Sequence, residues 1–118
     1  MSVKQFWHKR RVLITGASGF IGSWLTLSLL EREAEVVILA KGKIKNSLLT
    51  AKALKKIKAT AKADITDFSK TKEVFKRYKP DTCFHLAGQS IVSIANESPF
   101  PTFDANIKGT WNILEAAR

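Results

Sequence analysis

The fold is decided by residues 12 to 22, which read Val-Leu-Ile-Thr-Gly-Ala-Ser-Gly-Phe-Ile-Gly. The first four residues are apolar or β-branched, a composition typical of a short buried strand. Gly16 ends this run, and apolar residues then recur at helical spacing as far as Leu30. The stretch therefore predicts a strand, a tight turn and an amphipathic helix.

The turn carries three glycines, Gly16, Gly19 and Gly22, at the spacing Gly-x-x-Gly-x-x-Gly. Gly16 permits the sharp exit from the strand, Gly19 lets the backbone approach a pyrophosphate, and Gly22 allows close packing of the helix. The free N–H groups at the helix start suit a bound phosphate. Because the motif lies between a buried strand and a helix, it predicts dinucleotide binding, with a merely tight turn as the alternative.

Three more strands are predicted, over residues 35–40, 58–63 and 82–86, with a helix over 67–78. The continuous apolar run at 35–40 is typical of a strand buried on both faces of a parallel sheet. Strands that alternate with helices predict an α/β, Rossmann-like parallel sheet of order 3-2-1-4 flanked by helices, with its switch point between strands one and four. The chain stops in a helix, so we expect a fragment truncated before a fifth strand.

The remaining segments are predicted from capping residues and apolar spacing. Asn46-Ser47 could cap a short helix whose lysines face water and whose apolar stripe is Leu48, Ala51, Leu54 and Ile57. Residues 87–101 are expected to form a polar loop. The last helix is expected from about Thr102 to the end. Its large apolar residues, like Trp24 on the first long helix, are expected to pack on the sheet or on a missing neighbour: Phe103, Ile107, Trp111 and Leu114.

Composition excludes several classes of protein. The chain has 118 residues, 45% of them hydrophobic, which suits one domain with a core and excludes intrinsic disorder. Its single cysteine, Cys83, excludes an internal disulfide, and no His/Cys cluster predicts a metal site. A cytoplasmic setting is the expectation. Residues 12–30 are uncharged, but their glycines, serines and threonines argue against a signal peptide or membrane anchor.

The net charge of +10 is regional, because residues 41–79 contain 13 Lys or Arg against 3 Asp or Glu. A nucleic-acid site is the functional alternative for this segment. Residues 41–63 contain no aromatic side chain on which a base could stack, so we expect a solvated basic surface and no nucleic-acid partner.

Four stretches together resemble the extended short-chain dehydrogenase/reductase family. They are TGASGFIG at 15–22, the pair Asp64-Ile65, HLAGQ at 85–89 and NIKGTWNILEA at 106–116. The resemblance covers essentially all 118 residues. Within the family, residues 6–30 and 84–92 look most like nucleotide-sugar 4,6-dehydratases, the CDP-glucose type first and the GDP-mannose type second.

The resemblance implies a set of site residues, all at the carboxyl ends of the predicted strands. The pyrophosphate would lie along Gly16, Ser18, Gly19, Phe20, Ile21 and Gly22. The adenine would contact Asp64 and Ile65, with the Asp64 carboxylate accepting from the exocyclic amine. The ribose and nicotinamide would lie against Leu86, Ala87 and Gly88, and the sugar would face Gln89 and Ser90. Asn106 would brace the active-site backbone.

The chain departs from the family pattern at three places. An acid is expected near the end of strand two, where it binds the ribose 2′-hydroxyl, yet Ala40, Lys41 and Gly42 stand there. Lys41 could instead neutralise the 2′-phosphate of NADP, or it could be an ordinary solvated lysine, so NAD and NADP both stay open. Ile21 replaces a lysine of the CDP-glucose type and Gly88 replaces an alanine, so dehydratase and epimerase both stay open.

No catalytic residue is predicted within the chain. The family's base is a tyrosine followed four residues later by lysine, but Thr82 stands four residues after Tyr78, the only tyrosine. His85 and Cys83 are interpreted as core residues of strand four. In an intact parent, the resemblance implies hydride abstraction from C4 of a nucleotide-sugar, loss of water across C5 and C6, and hydride return to C6. The alternatives are an epimerase or reductase of the family, a non-catalytic NAD(P)-binding regulatory module and, last, a nucleic-acid binder; homo-oligomerisation stays open.

Overall fold

Four parallel strands form one sheet in the order β3-β2-β1-β4, in a computed structural model that describes residues 1–44 and 47–118. Leu13 pairs with Val37 on one side and Cys83 on the other, and Val37 pairs with Ala59, so these four residues form one row across the sheet. The predicted order and the switch point between β1 and β4 are confirmed. The strands are β1 (Arg11–Thr15), β2 (Glu35–Ala40), β3 (Ala59–Lys62) and β4 (Thr82–His85).

Helices cover both faces of the sheet. They are α1 (Val3–Trp7), α2 (Phe20–Glu31), α3 (Ala51–Leu54), α4 (Phe68–Tyr78), α5 (Val92–Glu97), α6 (Pro99–Phe103) and α7 (Gly109–Ala117), with a π-helical turn over Asp104–Lys108 between the last two. The predicted helix over 67–78 is confirmed as α4. The Asp67 carboxylate caps its start by accepting the N–H of Lys70, and Lys79 ends it in the left-handed conformation.

The core consists of two clusters because alternate side chains of a strand point to opposite faces. Leu13 and Val37 lie on the face that packs against Phe75 of α4 and Ile113 of α7. On the other face, Ile14 and its neighbours on β2 pack against the apolar side of α2. The central strands are therefore buried on both faces, as the run at 35–40 predicted.

The arrangement of α2 differs from the expected amphipathic pattern. Its buried side carries Gly22, Ser23 and Thr26 together with Leu29, whereas Phe20, Ile21 and Trp24 are exposed. Small residues face inward because the start of α2 lies directly against the turn after β1. Trp24 therefore does not pack on the sheet.

The short lysine-rich helix also differs from its prediction. Asn46 lies outside the described residues, and α3 begins only at Ala51, where the Thr50 hydroxyl accepts the N–H of Ala53. Leu54 and Ile57 pack against the core as predicted. Leu48 and Ala51 are exposed, and Leu49 and Ala53 are buried in their place. The lysines of the helix and of the turn after it, Lys52, Lys55 and Lys56, face water as expected.

The predicted polar loop over 87–101 is wrong, because α5 and the start of α6 lie within it. Pro99 occupies the beginning of α6, where its missing N–H breaks no hydrogen bond, so the final helical stretch starts earlier than Thr102. The buried residues of α7 are Gly109, Asn112 and Ile113. The large apolar residues expected to pack on the sheet or on a missing neighbour do not pack on the sheet, because their side chains are exposed: Phe103, Ile107, Trp111 and Leu114.

Arg11 joins the beginning of β1 to the beginning of β4 through hydrogen bonds to Asp81. Its guanidinium and its N–H both donate to the Asp81 carboxylate, the shortest bond being 2.8 Å from Nη2 to Oδ1. These bonds hold the pKa of Asp81 down at about 2. No helix within the described parts of the chain is both long and apolar enough to cross a membrane.

Candidate functional site

A cavity of about 850 Å³ lies at the carboxyl ends of the strands. This is the place where open α/β sheets bind ligands, at the switch point between β1 and β4. The cavity is lined by all fourteen residues that the sequence assigned to cofactor or substrate: Gly16, Ser18, Gly19, Phe20, Ile21, Gly22, Lys41, Asp64, Ile65, Leu86, Ala87, Gly88, Gln89 and Ser90. Their individual ligand contacts stay predictions.

Sequence reasoning missed the wall of the cavity formed by α5, α6 and the π-helical turn. This wall contributes Ile94, Ser98, Pro101, Thr102 and Ala105. The signal was available, since Ser98 followed by Pro99 is a helix-start pattern. Pro99, Pro101 and several polar residues in the same segment led instead to the prediction of a loop.

The three glycines of the turn have different surroundings. Gly16 has a φ of +73°, and a Cβ on it would lie 2.6 Å from the carbonyl carbon of Leu86. A Cβ on Gly22 would overlap the carbonyl oxygen of Gly16. Among the described residues, a Cβ on Gly19 would meet only that same oxygen, at 3.4 Å. Gly16 and Gly22 are thus required by packing, whereas Gly19 leaves space that the fold itself does not use.

The amino end of α2 opens at this space. Gly19 is its N-cap residue, and no side chain caps the helix. The first N–H groups of a helix have no partner within it and carry the positive end of the helix dipole. The turn therefore presents amide donors beside an unfilled space, which suits an anion such as a pyrophosphate.

Asp64 and Lys41 form an ion pair at the end of the cavity bounded by β2 and β3. Oδ1 of Asp64 accepts the N–H and the hydroxyl of Thr66, at 2.9 and 2.8 Å. Its Oδ2 lies 3.6 Å from Nζ of Lys41, whose side chain is 83% exposed. The bonds from Thr66, and to a smaller extent Lys41, lower the pKa of Asp64, so this carboxylate is ionised and able to accept a hydrogen bond from an amine.

Thr15 links the end of β1 to the segment after β4. Its buried hydroxyl accepts the N–H groups of Leu86 and Ala87, both at 3.1 Å, and lies 2.7 Å from Nδ1 of His85. Nε2 of His85 lies 3.2 Å from the Thr110 hydroxyl. His85 is therefore hydrogen-bonded, as the sequence indicated, but it is half-buried on β4 and not a core residue, and partial burial lowers its pKa.

Asn106 braces the backbone beyond β4, as the resemblance implied. Its Oδ1 accepts the N–H of Gln89 at 2.6 Å, and its Nδ2 donates to the Gln89 carbonyl oxygen at 2.9 Å. A Cβ on Gly88 would lie 2.7 Å from the same Oδ1. The glycine that departs from the family pattern therefore leaves room for this double hydrogen bond.

Cys83 and Tyr78, the other residues that could be reactive, lie outside the cavity. Burial raises the pKa of Cys83 to about 11, so its thiol is not ionised at neutral pH. Tyr78 packs beside the core cluster of Leu13 and Phe75 and does not line the cavity. Across residues 1–44 and 47–118, no group of three His, Cys, Asp or Glu side chains could hold a metal ion.

Comparison with known proteins relates this chain to nucleotide-sugar 4,6-dehydratases. A family model described as GDP-mannose 4,6 dehydratase matches residues 13–118. CDP-glucose 4,6-dehydratase of Salmonella typhimurium is 36% identical over 116 residues, which cover 98% of this chain and 32% of the relative. dTDP-glucose 4,6-dehydratase of Neisseria meningitidis is 34% identical, over 92% of this chain and 32% of the relative.

Solved structures agree with the fold. UDP-glucose 4-epimerase of Thermus thermophilus, determined in complex with NAD, superposes with a TM-score of 0.77 at 32% identity, over 90% of this chain and 33% of that one. The chain thus spans about one third of the length of the relatives it matches. Because the family match takes in both central strands, the glycine turn and the final helix, the chain belongs to the GDP-mannose 4,6-dehydratase family of Rossmann-fold proteins.

Proposed function

We propose that this chain is the NAD(P)-binding portion, over residues 1–118, of a nucleotide-sugar 4,6-dehydratase-like enzyme. The observation that carries the proposal is the space at Gly19, which lies beside the uncapped start of α2 in the switch-point cavity. A pyrophosphate is the group that this combination of open space and amide donors suits best. Relatives named as dehydratases of CDP-glucose and dTDP-glucose support the nucleotide-sugar class of substrate.

In this proposal the chain binds and orients, while proton transfer belongs to residues outside it. The glycine turn holds the pyrophosphate, Asp64 accepts from the adenine amine, and residues 86–88 support the ribose and nicotinamide. Gln89 and Ser90 face the sugar. A bound nicotinamide supplies a site that takes up a hydride and returns it. We propose that the Tyr-x-x-x-Lys pair and the remainder of the substrate site lie in the rest of a longer protein.

An epimerase is the second candidate, because UDP-glucose 4-epimerases are also among the relatives and structural neighbours. Mass spectrometry of products from the full-length protein separates the candidates, with CDP-glucose, GDP-mannose and UDP-glucose as substrates. A dehydratase gives a product lighter by one water, and an epimerase gives a product of unchanged mass but altered chromatographic retention. An unchanged substrate in every case would favour the third candidate, a non-catalytic NAD(P)-binding module.

We further propose that the protein acts in the cytoplasm on a small nucleotide-sugar, with no nucleic-acid partner. The segment around α3 supports the absence of a nucleic-acid partner, since its lysines Lys52, Lys55 and Lys56 are exposed and residues 41–63 contain no aromatic side chain on which a base could stack.

The identity of the cofactor, NAD or NADP, depends on Lys41. This residue lies at the end of β2, where the ribose of the adenosine half is expected. Lys41→Ala should weaken binding of NADP by about tenfold relative to NAD, because it removes a positive charge near the 2′-phosphate. Calorimetric titration with both cofactors measures the ratio. Lys52→Ala, an exposed lysine that does not line the cavity, is the control. An unchanged ratio in the Lys41 variant would show that this lysine is only solvated.

A further inference from the structure

The protonation of His85 can be read from the hydrogen bonds around Thr15. The Thr15 hydroxyl is fully buried, and its oxygen already accepts two backbone N–H groups, from Leu86 and Ala87. A hydroxyl has two lone pairs and one proton. The Leu86 N–H is shared with the Thr15 carbonyl oxygen, also at 3.1 Å, so the direction of the 2.7 Å contact between the Thr15 hydroxyl and Nδ1 of His85 is set from the other side of the ring. There the Thr110 hydroxyl donates its proton to the Asn106 carbonyl oxygen and accepts from Nε2–H, so Nδ1 of the neutral ring accepts the Thr15 proton.

The bonds of Thr110 fix the tautomer of the ring. The proton of a neutral His85 is on Nε2, which donates to the Thr110 hydroxyl at 3.2 Å. Thr110 in turn donates to the carbonyl oxygen of Asn106 at 2.8 Å. The result is a chain of hydrogen bonds that runs in one direction, from β1 through β4 to the final helical stretch.

Both ends of this chain hold backbone that lines the cavity. At one end, Thr15 fixes the N–H groups of Leu86 and Ala87. At the other, Asn106 holds Gln89 through two hydrogen bonds. Residues 86–89 are therefore hydrogen-bonded to Thr15 at one end and to Asn106 at the other, and His85 links these two residues through Thr110.

We propose that His85, in its Nε2–H form, is a positioning residue that sets the backbone of residues 86–89 against the nicotinamide half of the cofactor. This inference rests on the proposed function, because it needs a dinucleotide in the cavity. His85 does not itself line that cavity. Its effect should consequently be confined to the half of the ligand that lies beside residues 86–89.

Two ligands separate this role from a general effect on folding. ADP-ribose has the adenosine and pyrophosphate but lacks the nicotinamide, so it reports on the glycine turn alone, whereas NAD reports on both halves. NADP and 2′-phospho-ADP-ribose replace them if the wild-type protein prefers NADP. His85→Leu leaves the Thr15 proton without an acceptor. His85→Asn restores an acceptor, since its Oδ1 can occupy the place of Nδ1.

In calorimetry on the full-length protein, His85→Leu should bind NAD about tenfold more weakly, because the loosened backbone of residues 86–89 must be ordered when the nicotinamide half binds. Its affinity for ADP-ribose should stay within about twofold of the wild type, because His85 bonds Thr15 and Thr110 and not the glycine turn. His85→Asn should recover most of the NAD affinity. Equal losses for both ligands, or no loss for either, would overturn the inference while leaving the proposed function standing. Absence of binding of both ligands to the wild type would overturn the proposed function and the inference with it.

A measurement on the wild-type protein avoids any variant that fails to fold. The ¹⁵N resonances of the His85 ring at neutral pH should show a protonated Nε2 and an unprotonated Nδ1. The opposite tautomer, or a rapid average of the two, would contradict the direction of the hydrogen-bond chain.

Discussion

Gly19→Val should remove most of the affinity for NAD and NADP without disturbing the fold. The backbone of Gly19 is extended, with φ −70° and ψ 176°, which suits a β-branched residue. A Cβ there has only one neighbour within the described part of the chain, the Gly16 carbonyl oxygen at 3.4 Å. The valine side chain would therefore occupy the space assigned to the pyrophosphate. We expect affinity to fall by at least about 100-fold, or ~2.7 kcal/mol, in calorimetric titration.

The control for this variant is Thr60→Val, which places a valine side chain at an exposed position of the edge strand β3, away from the cavity. Thermal unfolding of both variants, followed by circular dichroism, should match the wild type closely. A Gly19→Val protein that folds and binds either cofactor as tightly as the wild type would disprove the placement of the pyrophosphate.

Gly22→Ala should destabilise the protein strongly, although Gly22 is only three residues from Gly19. The added Cβ would overlap the Gly16 carbonyl oxygen and lie 2.8 Å from the carbonyl carbon of Gly16. Gly16 has no room to retreat, because it abuts the backbone of Leu86 and Ala87. We expect the free energy of unfolding in urea to fall by about 3 kcal/mol, the upper part of the range for overpacking.

Gly42→Ala is the matched control, since a Cβ on Gly42 meets no atom of residues 1–44 and 47–118 within 4 Å. Its free energy of unfolding should stay within about 1 kcal/mol of the wild type, the size of the intrinsic difference between glycine and alanine. Alanine is a better helix former than glycine by about 1 kcal/mol. An increase in stability on Gly22→Ala would therefore mean that α2 does not approach the turn as closely as the structure has it.

The sheet could be predicted because its signals are local. Residues 12–14 and 36–40 are apolar at every position, which is typical of a central strand of a parallel sheet that is buried on both faces. The alternation with helices then limited the strand order to few choices. The fourteen candidate site residues line one cavity because they follow the carboxyl ends of parallel strands, which lie at the same edge of the sheet.

The segments that sequence reasoning missed depend on neighbours that are distant in the chain. The Ser98-Pro99 pair marks a helix start, but nothing within 87–101 indicates that this helix will form the cavity wall or that Asn106, further along the chain, will hold Gln89. The inner side of α2 carries small residues because the Gly16 carbonyl oxygen lies directly against it. The periodicity of α2 alone does not indicate this contact. Hydrophobicity left two sites open for Trp24 and Trp111, the sheet or a missing neighbour, and the structure rules out the sheet because both side chains are exposed.

The most direct test of the account is to observe the amides of the glycine turn while a dinucleotide binds. In ¹H–¹⁵N spectra of the full-length protein titrated with NAD or NADP, the N–H resonances of Phe20, Ile21 and Gly22 should shift the most and saturate with the ligand. ADP-ribose should shift the same resonances, and adenosine monophosphate, which lacks the pyrophosphate, should shift them far less. Binding that leaves these three resonances in place, or no binding of any of the three dinucleotide-type ligands, would contradict the account.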